Sequence, residues 1–265
     1  MFLPLNSFEN ICVCFLLMII YSTAGWIGEM IYHSIVIKHL SEKRGFLNGF
    51  LCPIYGHGAL LVLYVLNGGL KNPILTFLAG MVLTTALEYF TSWMMETIFH
   101  MRWWDYSQKR FNINGRVCAS NLLAFGVMGV FVVKVLKPFA FGLFAKIPPV
   151  WLDVISITLT ALLVADVAIS AGVLTKIRGA AESVRTDNTE AITKAVREAL
   201  MAQGFLLRHP LHAFPEVQFY NKAHLARLKA KHDELQANMR EKREKLQQEL
   251  DRLEEKRKAL KKGKK

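Results

Sequence analysis

Long apolar stretches are the feature that most constrains what this sequence can fold into. A helix needs about 20 predominantly apolar residues to cross the hydrocarbon core of a bilayer. Windows of that length predict five spans, over about residues 8–37, 46–66, 73–99, 120–136 and 150–174. A single soluble globule is therefore disfavoured, and the sequence predicts an all-α, polytopic membrane protein of about five transmembrane helices.

Positive charge is concentrated after the last of these spans. Residues 176–265 hold 22 Lys and Arg against 13 Asp and Glu, so they carry +9 of the net charge of +12. We therefore predict a transmembrane domain over residues 1–175 and a basic, helical, cytoplasmic tail over residues 176–265. A nucleic-acid partner is not expected, because this charge adjoins membrane spans and is not interleaved with base-stacking aromatic residues.

The connections between the predicted spans differ in their Lys and Arg content. Seven of these residues lie in the connections after the first and third spans, and four lie in the other two connections. Cytoplasmic loops carry the excess of Lys and Arg in most membrane proteins. The sequence thus predicts a multi-pass protein of the cell membrane with its N-terminus outside and its C-terminus in the cytoplasm. A reversed or four-span arrangement is the alternative.

Three glutamates, Glu29, Glu88 and Glu96, lie within the predicted spans. A charged side chain at the centre of a spanning helix costs about 2.5–3.5 kcal/mol on insertion, and such residues normally face protein or water. Glu88, Ser92 and Glu96 are spaced four residues apart and share one broad helix face. With the sidedness above, these groups and His57 approach the cytoplasmic side. The alternative is a purely structural role for each glutamate, paired at a helix interface.

Two connections add polar and irregular sequence on the same side. Residues 44–58 contain four glycines and a proline, which disfavours regular helix and is tolerated at membrane depth where backbone is buried in protein or lines a wet cavity. Residues 102–116 combine aromatic, charged and amide side chains, for which an aromatic belt and a turn are the alternative interpretation. The candidate substrate-binding residues of a polar cavity are Glu29, Arg44, Asn48, Tyr55, His57, Glu88, Glu96, Arg102, Trp104, Asp105, Tyr106, Asn112, Asn114 and Arg116.

Three motifs in these regions carry a resemblance to a known family. They are RGFLNGFLCPIYGHGA at residues 44–59, LEYFTSWMMETIF at residues 87–99, and RWWDYS followed by FNINGRVC within residues 102–118. In this order they resemble the type IV ABC-transporter (CmpB-like) family of small multi-span membrane proteins, which is similar in turn to the vertebrate transmembrane protein 229 group. The resemblance covers about residues 8–135 and implies a membrane protein, without an established substrate or catalytic residue.

Three functions are compatible with these features. The first is a transporter or permease-like subunit whose cytoplasm-facing polar cavity binds a small solute or a proton. Because the sequence has no GxxxxGK[ST] phosphate-binding loop, an ABC role requires a separate ATPase subunit. The second is a membrane-embedded enzyme acting on a lipid or isoprenoid-type substrate, with Asp105 and His57 among its acid and base groups; no HExxH or GxSxG motif indicates its reaction. The third is a membrane-anchored assembly or signalling protein.

The four scattered cysteines form no CxxC pair, and no metal site or cofactor is predicted.

The basic tail has the periodicity of helices. Asp187 and Glu190 fit a helix cap, and apolar residues at helical spacing follow them to about residue 203. Two prolines predict a bend over residues 205–217. A second helix over about residues 218–260 has a partly apolar heptad pattern, which favours a weak coiled coil or a partner-docking helix over a solvated single helix. The Lys and Arg residues at its end suit contact with anionic lipid headgroups, with solubility as the alternative.

Overall fold

The structure is a computed structural model that describes residues 7–38, 45–66, 72–186, 188–201 and 204–262, and most of these residues are helical. A π-helical turn, Val132–Leu136, joins the helices Ala119–Phe131 and Lys137–Phe144, and two strands of two residues each, β1 (Met101–Arg102) and β2 (Gln218–Phe219), form an antiparallel pair. The helices are α1 Ser7–Ile37, α2 Pro53–Val65, α3 Pro73–Phe99, α4 Ala119–Phe131, α5 Lys137–Phe144, α6 Pro149–Ser183, α7 Thr189–Met201, α8 Phe205–Ala213 and α9 Lys222–Lys262. The prediction of an all-α membrane protein is confirmed.

Four helical segments in the described ranges are long and apolar enough to cross a bilayer. They are Asn10–Ile35 in α1, the whole of α3, the continuous segment Ala119–Phe144, and α6. The second predicted span differs, because only its 13 residues Pro53–Val65 are helical. At about 1.5 Å per residue α2 is roughly 20 Å long, which is shorter than the hydrocarbon core of about 30 Å. The structure therefore has four full-length spans and one short apolar helix where the sequence predicted about five spans.

Prolines fix the boundaries of several of these helices. Pro53, Pro73 and Pro149 each stand at the first helical position, where the missing N–H is not needed and the fixed φ suits the helix. Pro138 lies near the beginning of α5, directly after the π-helical turn. Because Pro138 cannot donate to the carbonyl four residues earlier, the wider turn accommodates it without ending the helix.

A first hydrophobic core lies among the spanning helices. Tyr21 and Val13 of α1, Val62 of α2 and Ala140 of α5 are among its most buried side chains. Leu152, near the beginning of α6, closes this core at the end of the bundle where α5 and α6 meet. The short helix α2 is thus held inside the bundle by α1.

A second hydrophobic core joins the membrane helices to the tail at the opposite end of the bundle. Met101 and Trp103, which follow α3, pack in it with Leu174 and Ile177 of α6 and with buried residues of α7, α8 and β2. Helix α6 runs through the sequence-predicted domain boundary at residues 175 and 176 without interruption. The first part of the tail is therefore packed against the membrane helices. We call this end, with residues 45–52 and 100–118, the loop end of the bundle.

The tail contains one more helix than the sequence indicated. Helix α7 matches the predicted amphipathic helix, and the Asn188 side chain accepts hydrogen bonds from the N–H groups of Glu190 and Ala191; the predicted cap Asp187 lies outside the described residues. The predicted bend over 205–217 is wrong for its first part, because residues 205–213 form α8. Pro210 and Leu211 are buried on this helix, so packing outweighs the cost of an internal proline.

Candidate functional site

The loop that connects α3 to α4 folds back over the end of α3. The Tyr106 N–H donates to the Gly115 carbonyl at 2.7 Å, and the Ile113 N–H donates to the Val117 carbonyl at 3.0 Å. The Trp104 indole N–H donates to the Arg116 carbonyl at 3.0 Å. These bonds make residues 103–118 a compact structure, which we call the α3–α4 loop.

Four of the predicted site residues brace this loop from inside. Arg102 lies 3.4 Å from the Asp105 carboxylate and donates to the Asn114 carbonyl. Asn112 donates to the Lys109 carbonyl at 2.8 Å and accepts from the Gly115 N–H at 3.0 Å. These contacts stabilise the conformation of the loop.

Asp105 is held as an ionised scaffold residue. Partial burial raises its pKa, but hydrogen bonds from the Ser107 side chain and backbone, together with the Arg102 guanidinium, bring that pKa below its ordinary value. Gly115 has φ +64°, and a Cβ there would lie 2.5 Å from side-chain atoms of Arg102, Asp105 and Ser107. The loop thus requires glycine at this position, both for its backbone conformation and for space.

The loop supplies a cation to one of the glutamates of α3. Arg116 lies 2.8 Å from the Glu96 carboxylate, donates to the Ser92 hydroxyl at 3.3 Å, and stands over the Tyr89 ring at 5.7 Å from its centroid. Asn114 donates to the Tyr89 hydroxyl at 2.8 Å. The charge of Glu96 is therefore compensated within the protein, as the structural alternative for this residue proposed.

Glu88, slightly more than two helical turns before Glu96 on the same face, has no such partner. It is only 6% exposed, although it carries a carboxylate in the middle of a spanning helix. Its Oε1 accepts from the Tyr106 hydroxyl at 3.5 Å and from the Asn121 amide at 3.4 Å, which are long for hydrogen bonds. Its Oε2 is buried without a hydrogen-bond partner, and no ion pair joins Glu88 to a Lys, Arg or His in the described part of the chain.

A second carboxylate acts electrostatically on Tyr106 from helix α1. Glu29 of α1 accepts from the Tyr55 hydroxyl and lies 3.4 Å from the His33 ring. Burial, and then the nearby Glu88 and Glu29 carboxylates, raise the pKa of the Tyr106 hydroxyl well above its ordinary value. The two carboxylates therefore act on the same phenol. We call Glu29, Tyr55, Glu88, Tyr106 and Asn121 the carboxylate cluster.

The remaining predicted residues lie elsewhere. Asn48 donates through its backbone and side chain to Asp166 of α6, at 2.9 and 3.0 Å, and Asp166 also accepts from the Gly49 N–H at 2.6 Å. His57 is exposed, and its Nδ1 lies 2.7 Å from the Pro53 carbonyl of its own helix. Arg44 lies outside the described residues.

Sequence reasoning missed two residues that matter here. Asp166 is a carboxylate in an apolar span, so the argument used for the three glutamates would also have identified it. Asn121 stands at the beginning of α4, and no sequence signal distinguishes it from an ordinary polar residue at a helix end. Within the described ranges, no three His, Cys, Asp or Glu side chains are arranged to hold a metal ion.

Comparison with known proteins gives one match. The sequence profile of the family described as "Putative ABC-transporter type IV" matches residues 16–171. This range includes α2, α3, the α3–α4 loop and every residue of the carboxylate cluster. No curated protein and no solved structure matches the chain.

Proposed function

This chain belongs to that family of ABC-transporter-like membrane proteins, and on that premise we propose that it is a transporter-like subunit in which the carboxylate cluster binds a small cationic solute or a proton. The observation that carries the proposal is the buried Glu88 carboxylate, with one oxygen unpartnered and no cation paired to it. An ionised carboxylate in this environment is costly unless a positive charge or a proton joins it.

The composition of the cluster favours a cation over an anion or a neutral solute. Two carboxylates, Glu29 and Glu88, and two phenolic hydroxyls, Tyr55 and Tyr106, supply oxygen atoms that accept hydrogen bonds. Asn121 adds an amide that donates to Glu88. Arginine, the group that most often binds an anion, is engaged nearby with Glu96. A proton or a small organic or inorganic cation fits this set best.

The position of the cluster supports access from the cytoplasm. Glu29 lies eight residues before the end of α1, or about 12 Å along the helix axis; Tyr106 belongs to the loop end, and Asn121 lies in the first turn of α4 directly after it. The loop end has more of the connecting Lys and Arg residues, which favours a cytoplasmic location. We propose that movement of the α3–α4 loop opens a cavity at Glu88 from this side.

Transport of the ABC type would take its ATP hydrolysis from another protein. The sequence has no phosphate-binding loop of the ATPase type. We propose that a separate ATPase subunit associates with the loop end or the tail. Affinity purification from native membranes, followed by identification of the co-purifying chains, tests this part; recovery without any ATPase would contradict it.

Ligand-dependent stability of the purified protein tests the site itself. We expect the midpoint of thermal unfolding in detergent to rise with an inorganic or organic cation, or with a fall in pH, and Glu88→Gln to abolish that response. Glu216→Gln removes an exposed carboxylate outside the cluster and serves as the matched control, with an unchanged response. A wild-type midpoint that responds to neither cations nor pH would overturn the proposal, as would a normal response in Glu88→Gln.

A further inference from the structure

Helix α9 is 41 residues long and is not covered by the rest of the described chain over most of its length. From residue 226 to residue 250, every side chain that the structure describes is exposed. Four of these are large apolar side chains with 53–59% exposure, namely Leu235, Met239, Leu246 and Leu250. A helix of this length reaches about 60 Å, so it presents a long surface that no described part of the chain covers.

The charges of α9 are sorted around its apolar stripe. Leu225, Met239, Leu246 and Leu253 take position a of a heptad, and Leu228 and Leu235 take position d. Within α9, the two positions that flank this stripe, e and g, hold seven basic and no acidic residues: Lys222, Lys229, Lys231, Arg243, Lys245, Arg252 and Arg257. Seven of the eight acidic residues lie at b, c and f, on the opposite face: Asp233, Glu234, Glu241, Glu244, Asp251, Glu254 and Glu255.

This arrangement disfavours a second copy of the same helix as the partner. In a parallel coiled-coil dimer, the g residue of one helix faces an e residue of the other. Basic residues would then meet basic residues on both sides of the seam. Position d also becomes polar after Leu235, with Lys242, Glu249 and Lys256. The complementary surface is an anionic one that is apolar beneath its charges.

The beginning of α9 is fixed beside the membrane. The Asn221 amide donates to the Val184 carbonyl at 3.0 Å, and Lys222 lies 3.7 Å from Glu182 of α6. The Thr189 hydroxyl lies 3.2 Å from the His224 ring. Because α6 is one of the candidate membrane spans, these contacts hold the N-terminal end of α9 at the C-terminal end of a membrane helix, and this raises its effective concentration at the lipid surface.

We infer that α9 lies along the anionic lipid surface of the membrane in which the chain is anchored. Its Leu and Met stripe enters the boundary between headgroups and acyl chains, and the flanking Lys and Arg side chains extend to the lipid phosphates. Each basic residue near such a surface adds to the electrostatic attraction, which salt screens. The acidic face points to water. This inference is independent of the carboxylate cluster and of any transported solute.

Site-specific labelling of the full-length protein tests the inference. Met239→Cys, on the apolar stripe, and Glu244→Cys, on the acidic face, are labelled separately with an environment-sensitive fluorophore, in nanodiscs of phosphatidylcholine alone or mixed with phosphatidylglycerol. We expect nitroxide lipids to quench the label at 239 several-fold more than the label at 244, only in the anionic discs, and less at high salt. Equal quenching at the two positions would overturn the inference.

Charge variants distinguish binding of α9 to lipid from binding to a second copy or to another protein. Replacing Lys231, Arg243, Lys245 and Arg252 together by glutamine should abolish the quenching at 239, whereas replacing Asp233, Glu241 and Glu244 by their amides should not; the helical circular dichroism of each variant is compared with the parent. Burial of the label at 239 from water that is equal in both lipid mixtures and depends on the number of copies per disc would indicate self-association. Burial of the label that requires an added acidic protein would indicate a protein partner. Either result would overturn lipid binding.

Discussion

At the scale of single residues, Glu88 and Glu96 show how two carboxylates on one helix face take different roles. Glu96 lies 2.8 Å from Arg116, whereas Glu88 has two long hydrogen bonds and an unpartnered oxygen. The difference comes from the α3–α4 loop, which brings a cation to one and a phenol to the other. The same loop therefore stabilises the fold at Glu96 and leaves one carboxylate oxygen of Glu88 without a hydrogen-bond partner.

This contrast predicts opposite effects of the same substitution on stability. Glu96→Gln leaves the partly buried Arg116 guanidinium without its counter-charge and should lower the free energy of unfolding by about 1–3 kcal/mol. Glu88→Gln removes an unpaired buried charge and should be neutral or stabilising in the absence of ligand. Thermal unfolding in detergent measures both variants. A loss in Glu88→Gln as large as that in Glu96→Gln would contradict the assignment.

Gly25 controls the position of Tyr55 in the carboxylate cluster. A Cβ at residue 25 would lie 2.3 Å from the Tyr55 ring, so Gly25→Ala should displace Tyr55 from Glu29 and cost about 1–3 kcal/mol by overpacking. Gly28→Ala is the matched control, because a Cβ at residue 28 meets nothing within 4 Å. We expect Gly25→Ala to weaken the cation- or pH-dependent rise in unfolding midpoint. Equal behaviour of the two alanine variants would show that Tyr55 has room to move.

At the scale of elements, the sequence predicted those features that depend on neighbouring residues. The bounds 73–99 for the third span agree with α3, because Pro73 begins the helix and the apolar run continues to Phe99. The irregular backbone before α2 also follows local glycine and proline content. Helix α8 was not predicted, because it is stabilised by the burial of Pro210 and Leu211. This burial depends on contacts with residues that are distant in the sequence.

The candidate site could be predicted only in part for the same reason. The intramembrane glutamates and the polar loop were visible in the sequence, since charge in an apolar span is a local signal. The pairing of Arg116 with Glu96 and of Asn48 with Asp166 joins residues 20 and 118 positions apart. Spacing along one chain does not determine which groups become partners, so the sequence grouped Arg102, Asn48 and His57 with Glu88 although each has other contacts.

Asp166 joins the irregular segment before α2 to helix α6. It accepts from the backbone N–H groups of Asn48 and Gly49, and Asp166→Asn would place an amide donor against one of them. We expect a loss of about 1–3 kcal/mol in the free energy of unfolding from the unpaired N–H. Asp153→Asn on the same helix is the control, because Asp153 Oδ1 has no hydrogen-bond partner among the described residues. Similar losses in both variants would contradict a specific tie at Asp166.

At the scale of the whole molecule, the tail divides into a packed part and a projecting part. Helices α7 and α8 and strand β2 share the second core with Trp103 and α6, and β2 pairs with β1. Phe214 contacts the Trp103 ring edge-on at 4.7 Å between centroids. Helix α9 begins after this core is complete. The loop end and the first part of the tail therefore form one packed unit.

Two truncations test this division of the tail. A chain that ends at Asn221 keeps the second core and loses only α9, so its unfolding midpoint should stay close to that of the full chain. A chain that ends at Thr175, at the boundary drawn from charge, loses the partners of Met101 and Trp103 and exposes apolar surface that is buried in the full chain. Burial of that surface stabilises folding in proportion to its area, so the shorter chain should unfold at lower temperature and aggregate when extracted from the membrane. Fluorescence-detected size-exclusion chromatography after heating compares the two chains. Equal thermal stability of the two chains would mean that the tail is only tethered to the membrane helices. Lipid contact by α9 would then have no rigid connection to the α3–α4 loop.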